Sequence, residues 1–583
     1  MSRAAVLLSA LVLLAISVVP LGRTVAESFL VRDPQGHVVE VTGRRYAELF
    51  AGAGDAPSAG GDASGAPANE TPANRPAWKR WTMLGNSAAI ALVGALLAVA
   101  IGVPFALLVT RTDLPFRRLL GGLSVVPLVL PPLLVGVAWT YLPFAAPPPV
   151  TSAPEPSAWD GLLAILRAGG MFALCYFPLV VLFTSRAVRR VPAPLEEAAR
   201  LAGGTRRTLL RVTLPLAAPT ILASALFVFL FALEDFALVD FLNWVRPVGQ
   251  RVGVYPYESF TAWTKSQGEG IATALGVPLV VLGIALLVVI HRLVVRDART
   301  AVAGDYREAA PWRLGPWRWP AAAAALAVVG VAAVLPIAGL VWKSGQGGLD
   351  AYRRVWALVA GPQSSTQELL WTLWLAAAAA AVALPIAYVL AHHSARSGRI
   401  WPLVLAFLPL AVPPVFLGAG SLRVYQSEWL SIPLPGGGSR NPFIDPDSPH
   451  LGAVLVLVAK YVPFAVAALW ASFLGIDPRL EEAAASAGAR PLDRAVRIVA
   501  PLARPALAAA FVLVFVFSLR EIDTLVLLES DTLLRRVYTM VHFQRDEQVA
   551  ALCVLLLLLQ ALPFAFLALL LPRAVAEKEE RSA

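Results

Sequence analysis

The chain is short of the residues on which most enzymes and disulfide-stapled domains depend. Only two cysteines, Cys175 and Cys553, occur in 583 residues, and both fall inside apolar runs. That excludes a disulfide framework or a cysteine metal centre and reads them as small buried apolar side chains. The six histidines are scattered without metal-ligand spacing, and the pair His392-His393 reads as a solvated loop. No G-x-x-x-x-G-K-[ST] phosphate loop is present; the nearest fragment, Gly339 to Ser344, has Trp342 before Lys343. No catalytic constellation appears, and neither a cofactor nor a metal site is expected. Charge is scarce as well, at 15% of residues, which sets the chain apart from soluble proteins.

Apolar residues are what the chain has, at 58%, with a mean hydropathy of +0.68. These values place it among multi-pass membrane proteins. The net charge of +10 comes almost wholly from arginine, and the arginines lie in loops between apolar runs. The positive-inside rule explains them better than nucleic acid does, so no nucleic-acid partner is expected. Six spans are predicted at about 4–22, 84–110, 119–144, 161–186, 219–244 and 271–295, and six more at about 319–342, 369–394, 400–424, 450–475, 505–529 and 548–572. The first also fits a cleaved signal peptide ending at Thr24-Val25-Ala26, but Ser17-Val18-Val19-Pro20-Leu21 matches Ala333-Val334-Leu335-Pro336-Ile337, and that copy cannot be a signal. The stretch at about 50–77 is Ala/Gly/Pro/Ser-rich and is predicted to be a disordered extracytoplasmic insert.

The two sets of six repeat one another. Pro127-Leu128-Val129-Leu130-Pro131-Pro132 matches Pro409-Leu410-Ala411-Val412-Pro413-Pro414, Gly136 matches Gly418, and Tyr176-Phe177-Pro178 matches Tyr461-Val462-Pro463. The predicted fold is therefore all-α and membrane-embedded, about twelve helices in two parallel repeats, 1–300 and 301–583, with a pore between them. Arg111, Arg117, Arg118, the arginines around 186–211, those linking the halves and His392, His393, Arg396 and Arg399 mark alternate loops and both termini as cytoplasmic. Pro131, Pro132, Pro413 and Pro414 break helices mid-membrane, which survives only against protein or a wet cavity; they read as pathway-lining or hinge residues, or else as packing kinks. Glu234 and Asp235 in one fifth span align with Arg520 and Glu521 in the other. They read as a cation-attracting outer gate, with a Glu234–Arg520 structural pair or snorkelling equally open. Lys460 reads as interfacial.

One polar stretch occurs twice between apolar spans. Leu195 to Pro219 reads LEEAARLAGGTRRTLLRVTLPLAAP and Leu480 to Pro505 reads LEEAAASAGARPLDRAVRIVAPLARP. Ala, Glu, Leu and Arg favour helix, and Gly203 and Gly488 end or bend it. These stretches resemble the cytoplasmic EAA loop of binding-protein-dependent ABC importer permeases, and two in one chain resemble the double-length permeases of the ferric-iron type. The resemblance implies that Glu196, Glu197, Ala198, Ala199 and Gly203, with Glu481, Glu482, Ala483, Ala484 and Gly488, couple to an ATPase. It further implies two copies of a cytoplasmic ABC ATPase, an extracytoplasmic solute-binding protein, and a multi-pass place in the bacterial plasma membrane. The chain would be the complete transmembrane portion and non-catalytic, with ferric iron as solute. Thiamine or a phosphonate are alternatives within the family; a twelve-helix secondary transporter and a membrane-embedded enzyme are alternatives outside it. One departure stands out. Eight residues separate Gly203 from Val212, against nine between Gly488 and Ile498, the usual family spacing.

Overall fold

The computed structural model describes residues 3–32, 38–44, 46–47, 77–142, 159–246, 251–264, 269–300, 311–359, 368–433, 439–445, 450–528, 530–543 and 545–570. Nearly all of the predicted insert at about 50–77 lies outside the described residues. Among those described, nine helices are long and apolar enough to cross a membrane, and twelve if each of three sharply bent pairs is one span. The strands are two short hairpins, Leu30–Arg32 with Val38–Val41 and Ile432–Pro433 with Ser439–Arg440. The protein is thus an all-α, multi-pass membrane protein.

Besides the two spans broken at the paired prolines, two more predicted spans are not single helices. The helix Leu214–Glu234 ends at Asp235 and a separate helix Ala237–Trp244 follows; Arg504–Leu519 ends at Arg520 and gives way to irregular chain. Apolar length alone does not reveal such a stop, because the residues beyond it remain largely apolar.

Among the described residues four helices carry a widened turn, and one cause accounts for all of them. Val19 N–H donates to Leu14 O, Leu335 to Gly330, Leu214 to Leu209 and Ala500 to Ala495, each spanning five residues. The next residue is proline every time: Pro20, Pro336, Pro215 and Pro501. A proline has no N–H and its ring strikes the carbonyl four residues earlier, so widening the turn relieves both problems.

The chain forms two compact units whose boundaries differ from the two sequence halves. One comprises Met1–Arg45, Gly268–Val280 and Gly348–Ala583; the other comprises Tyr46–Gln267 and Val281–Gly347. The first helix therefore packs with the second half of the sequence. Gly420 lies so near it that a Cβ there would sit 2.2 Å from Thr24 Oγ1 and 2.7 Å from the Pro20 carbonyl oxygen. In the other unit, Gly339 meets the Ala138 carbonyl in the same manner.

Within each unit the second and fourth spans form the tightest pair. Helices Ala77–Arg111 and Asp160–Arg189 approach through Gly94, Gly102 and Gly169, where an added Cβ would lie 3.3, 2.7 and 2.6 Å from the opposite helix. Helices Glu368–Ser397 and Leu451–Phe473 form the corresponding pair and both carry buried alanines, among them Ala376, Ala379, Ala383 and Ala459. Small residues suit this task, because in lipid close van der Waals packing replaces the hydrophobic drive.

Candidate functional site

The two repeated loops are each tied back to the second span of their own unit. In the first loop the helix Ala193–Thr208 carries Glu196, which is 0% exposed. Its Oε1 lies 3.2 Å from Arg111 Nη2 and accepts a hydrogen bond from Thr213 Oγ1 at 2.9 Å. Arg111 is the last residue of its helix, and its Nη2 also donates to Val188 O at 2.5 Å. A buried carboxylate needs such partners, since an unpaired charge there costs several kcal/mol, on the order of 3–5.

In the second loop the helix Pro478–Ser486 carries Glu481, whose Oε1 accepts from Arg396 Nε at 2.7 Å while Oε2 lies 3.0 Å from His392 Nε2. Arg396 also donates to Phe473 O and Ile476 O at 3.2 and 3.0 Å, so it stitches three segments. Burial raises the Glu481 pKa, but the hydrogen bond from Arg396 and the His392 and Arg396 charges outweigh it and hold the carboxyl below its usual value. His392 and Arg111 were read from sequence as loop residues. Both instead lie on helices that run past the apolar stretch, and both are buried, at 3% and 2% exposure.

The turn glycines differ from expectation in one copy. Gly488 has φ +85°, with Ala489 N–H donating to Ala484 O and Gly488 N–H to Ala485 O. That pair of bonds is a Schellman stop, which favours glycine. In the first loop the left-handed residue is Gly204, at φ 73°, rather than Gly203. A Cβ on Gly203 would meet only the flexible Arg207 side chain, 2.5 Å away. The short spacing now has a structural counterpart. The second loop places Ala489 and an extended Arg490 before its next helix Pro491–Arg494, whereas the first re-enters helix directly after Gly204. The loops also leave differently. Pro491–Leu502 bends by 83° into Arg504–Leu519, while in the first loop helix continues without a break from Thr205 to Glu234.

With Glu196 and Glu481 turned inward, other motif residues stay outside. Ala198, Glu482 and Ala483 are exposed, Glu197, Ala199 and Ala484 partly so, and Leu201 is 92% exposed.

The candidate pathway residues gather at helix breaks. Chain bends of 95° and 99° separate Arg117–Val129 from Pro132–Thr140 and Trp401–Ala411 from Pro414–Tyr425. Leu130 and Val412 are extended, and Pro131 and Pro413 follow with ψ 140° and 138°. Two successive prolines suit this depth because neither has an N–H to leave unpaired. The helix after each break packs on the end of the fifth span of its unit. A Cβ on Gly136 would lie 2.5 Å from Leu238 Cδ1, and one on Gly418 would lie 2.5 Å from the Thr524 carbonyl oxygen.

The acids at those ends serve the backbone. Asp235 Oδ1 accepts Leu238 N–H at 3.1 Å, and Glu521 Oε1 accepts Thr524 N–H at 2.8 Å. Both cap a chain that has left helical structure within a largely apolar stretch. Glu521 is further bound by Lys460 Nζ at 2.7 and 2.8 Å and by the Tyr461 hydroxyl. Lys460 is therefore no interfacial residue; it sits mid-helix in Leu451–Phe473. Glu234 is buried at the end of its helix, and Arg520 lies with its guanidinium 5.4 Å from the Phe517 ring centre.

Sequence reasoning missed Arg111, Thr213, Gly204, His392, Arg396, Lys460 and Tyr461 as partners. One signal was available. Arg111 and His392 each stand seven residues after the matched prolines Pro104 and Pro385, so the repeat aligns two bases at one position.

Polar loops built on long apolar helices and discontinuous spans belong to a multi-pass membrane protein. Residues 94–300 match the family model for the binding-protein-dependent transport system inner membrane component. A probable molybdenum ABC transporter permease of Haloferax volcanii is 32% identical over 229 residues, covering 38% of this chain and 78% of that protein. A probable sulfate transport system permease protein of Nephroselmis olivacea is 27% identical over 40% of this chain and 81% of its own length. The molybdenum transport system permease protein ModB of Escherichia coli K12 is 26% identical over 36% of this chain and 91% of its own. The chain belongs to the family of binding-protein-dependent transport system inner membrane components.

Proposed function

We propose that this chain carries both permease halves of an ABC importer, each half presenting one EAA loop to one copy of a cytoplasmic ATPase. The observation that supports this best is the matched anchoring of the two loops. Each fixes its first glutamate to its own second span and leaves the alanine face and a neighbouring glutamate outside. A docking partner would then move a loop and a membrane helix together. Hydrolysis belongs to the ATPase, and an extracytoplasmic binding protein delivers the solute. Both termini and both loops face the cytoplasm in this reading, and Pro131, Pro132, Pro413, Pro414, Glu234, Asp235, Arg520 and Glu521 border the path.

For the solute we favour an oxyanion of the sulfate or molybdate kind, in keeping with what the relatives are named for. The separate reading of the fifth-span acids as a cation-attracting gate loses support, because Asp235 and Glu521 are engaged in capping and Glu521 is paired with Lys460. Ferric iron remains the reading that double length suggests by resemblance.

Reconstitution with the ATPase and binding protein of the same system tests both levels. Uptake of radiolabelled molybdate or sulfate that depends on ATP and on both loops is expected. Failure of any ATPase to co-purify would end the importer reading, and uptake of iron alone would end the oxyanion reading.

A further inference from the structure

At the end of the unit away from its loop, a small open cleft lies between the fourth span and the helix after the fifth-span break. Arg167 on Asp160–Arg189 and Arg246, just beyond Ala237–Trp244, both line it, over a floor that includes Ala168, Val239 and Val252. Arg167 stands 22 residues before Arg189, or about 33 Å up the helix from the loop side. Neither guanidinium has a protein hydrogen-bond or ion-pair partner among the described residues. Burial first, and then the neighbouring Arg167 charge, pull the Arg246 pKa down, and no carboxylate offsets them.

The rim is preformed. Asn243 exchanges two hydrogen bonds with the Val252 backbone, at 2.8 and 2.9 Å, and Arg251 Nε donates to Arg246 O at 3.1 Å. The asparagine amide is thereby committed to holding the returning chain, and the two arginines are left facing the cleft. Two like charges held together over a cavity are a standing cost unless an anion joins them, and a guanidinium fork fits a tetrahedral oxyanion in two-point contact.

The second half carries different residues at the equivalent positions. The repeat puts Gly452 at the Arg167 position and Thr532 at that of Arg246. A Cβ on Gly452 would already lie 2.6 Å from Phe443 O and 2.7 Å from Tyr425 Cδ2. The space is filled, so the feature is particular to one half rather than a consequence of the repeated fold.

We infer that Arg167 and Arg246 form an oxyanion-binding site on the extracytoplasmic side of the first half. A free sulfate or molybdate and the phosphodiester of an anionic lipid present the same chemistry to it. The choice of sulfate and molybdate as probes, and the side of the membrane, rest on the importer reading; the site itself rests on the cleft.

The test uses the full chain in nanodiscs of zwitterionic lipid and, separately, of anionic lipid. Equilibrium dialysis with radiolabelled sulfate and with molybdate is expected to show saturable binding in zwitterionic discs. Arg167→Met and Arg246→Met should each weaken it about tenfold, the loss of one charge-assisted contact. Weaker binding in anionic discs would identify a lipid headgroup as the competing occupant of the same site. Phenylglyoxal modification of the unaltered chain supplies a measurement that no folding defect can spoil: sulfate should protect Arg167 and Arg246 selectively. Absence of saturable binding in zwitterionic discs, binding indifferent to both substitutions, or no protection of these two arginines would each overturn the site. ATPase co-purification is read in parallel; it reports on the importer reading and can fail or succeed independently of anion binding.

Discussion

Glu196 is held by one base and one hydroxyl in a dry place, whereas Glu481 is held by two bases in a wetter one. The Arg111 and Glu196 side chains are 3% and 1% exposed; those of Arg396 and Glu481 are 18% and 14% exposed. Thr213, which completes the first cradle, has Val499 as its counterpart in the second. The constraint is shared: a loop carboxylate must be fixed to the second span. The residues that satisfy it are not, so matching residue types between the loops would not have found both anchors. The loops also differ in their turns, one re-entering helix at once and the other passing through an extended Arg490.

The largest expected difference comes from removing the dry anchor. Arg111→Met leaves Glu196 buried and uncompensated and is expected to cost about 3–5 kcal/mol. Arg396→Met leaves His392 in place at a more exposed site and should cost roughly 1 kcal/mol. Thermal unfolding of the two variants in detergent makes the comparison. Equal losses would show that the two cradles are alike after all, and Glu196→Gln added to Arg111→Met should restore part of the first loss.

Next is the contact behind each helix break. Gly418→Ala drives a Cβ against the Thr524 backbone, and backbone cannot step aside, so about 1–3 kcal/mol is expected. Gly136→Ala meets the end of the Leu238 side chain, which can rotate, and should cost well under that. Reversal of this order in unfolding measurements would contradict the packing described.

The turns give a smaller effect on stability and a sharper one on coupling. Gly488→Val and Gly204→Val place a β-branched residue at positive φ, worth roughly 1–2 kcal/mol each. Both should reduce ATP-driven uptake and ATPase retention, while Gly203→Ala should leave them near normal. If Gly203→Ala proves the damaging change, the turn has been assigned to the wrong glycine.

The smallest effect is a pH dependence confined to the second loop. Glu481 has its folded pKa depressed below the ordinary 4.5, so its contribution is present above that value and lost as pH falls through the folded one. The facing groups are His392, Arg396 and Tyr388. Amide protection factors at Ala484 to Ala489, corrected for intrinsic exchange, should fall below about pH 4.5, and Glu481→Gln should show low protection at all pH values.

Much of this protein was legible in its sequence. Twelve apolar stretches, the arginine pattern and the two Glu-Ala-Ala loops determined an all-α membrane protein with two repeated polar loops, because lipid admits few structures and charge is costly in it. The repeat even aligned Arg111 with His392. What the sequence could not decide was which of two adjacent glutamates faced inward, whether Gly203 or Gly204 turned the chain, and that Asp235 and Glu521 accept hydrogen bonds from their own backbone. Those outcomes depend on helix rotation, on where a helix stops, and on which distant side chain reaches the freed group. Lys460 shows the reason most plainly. Sixty-one residues from Glu521 in sequence, it meets that carboxylate at 2.7 Å only because one helix packs beside the irregular chain that follows another in the same unit.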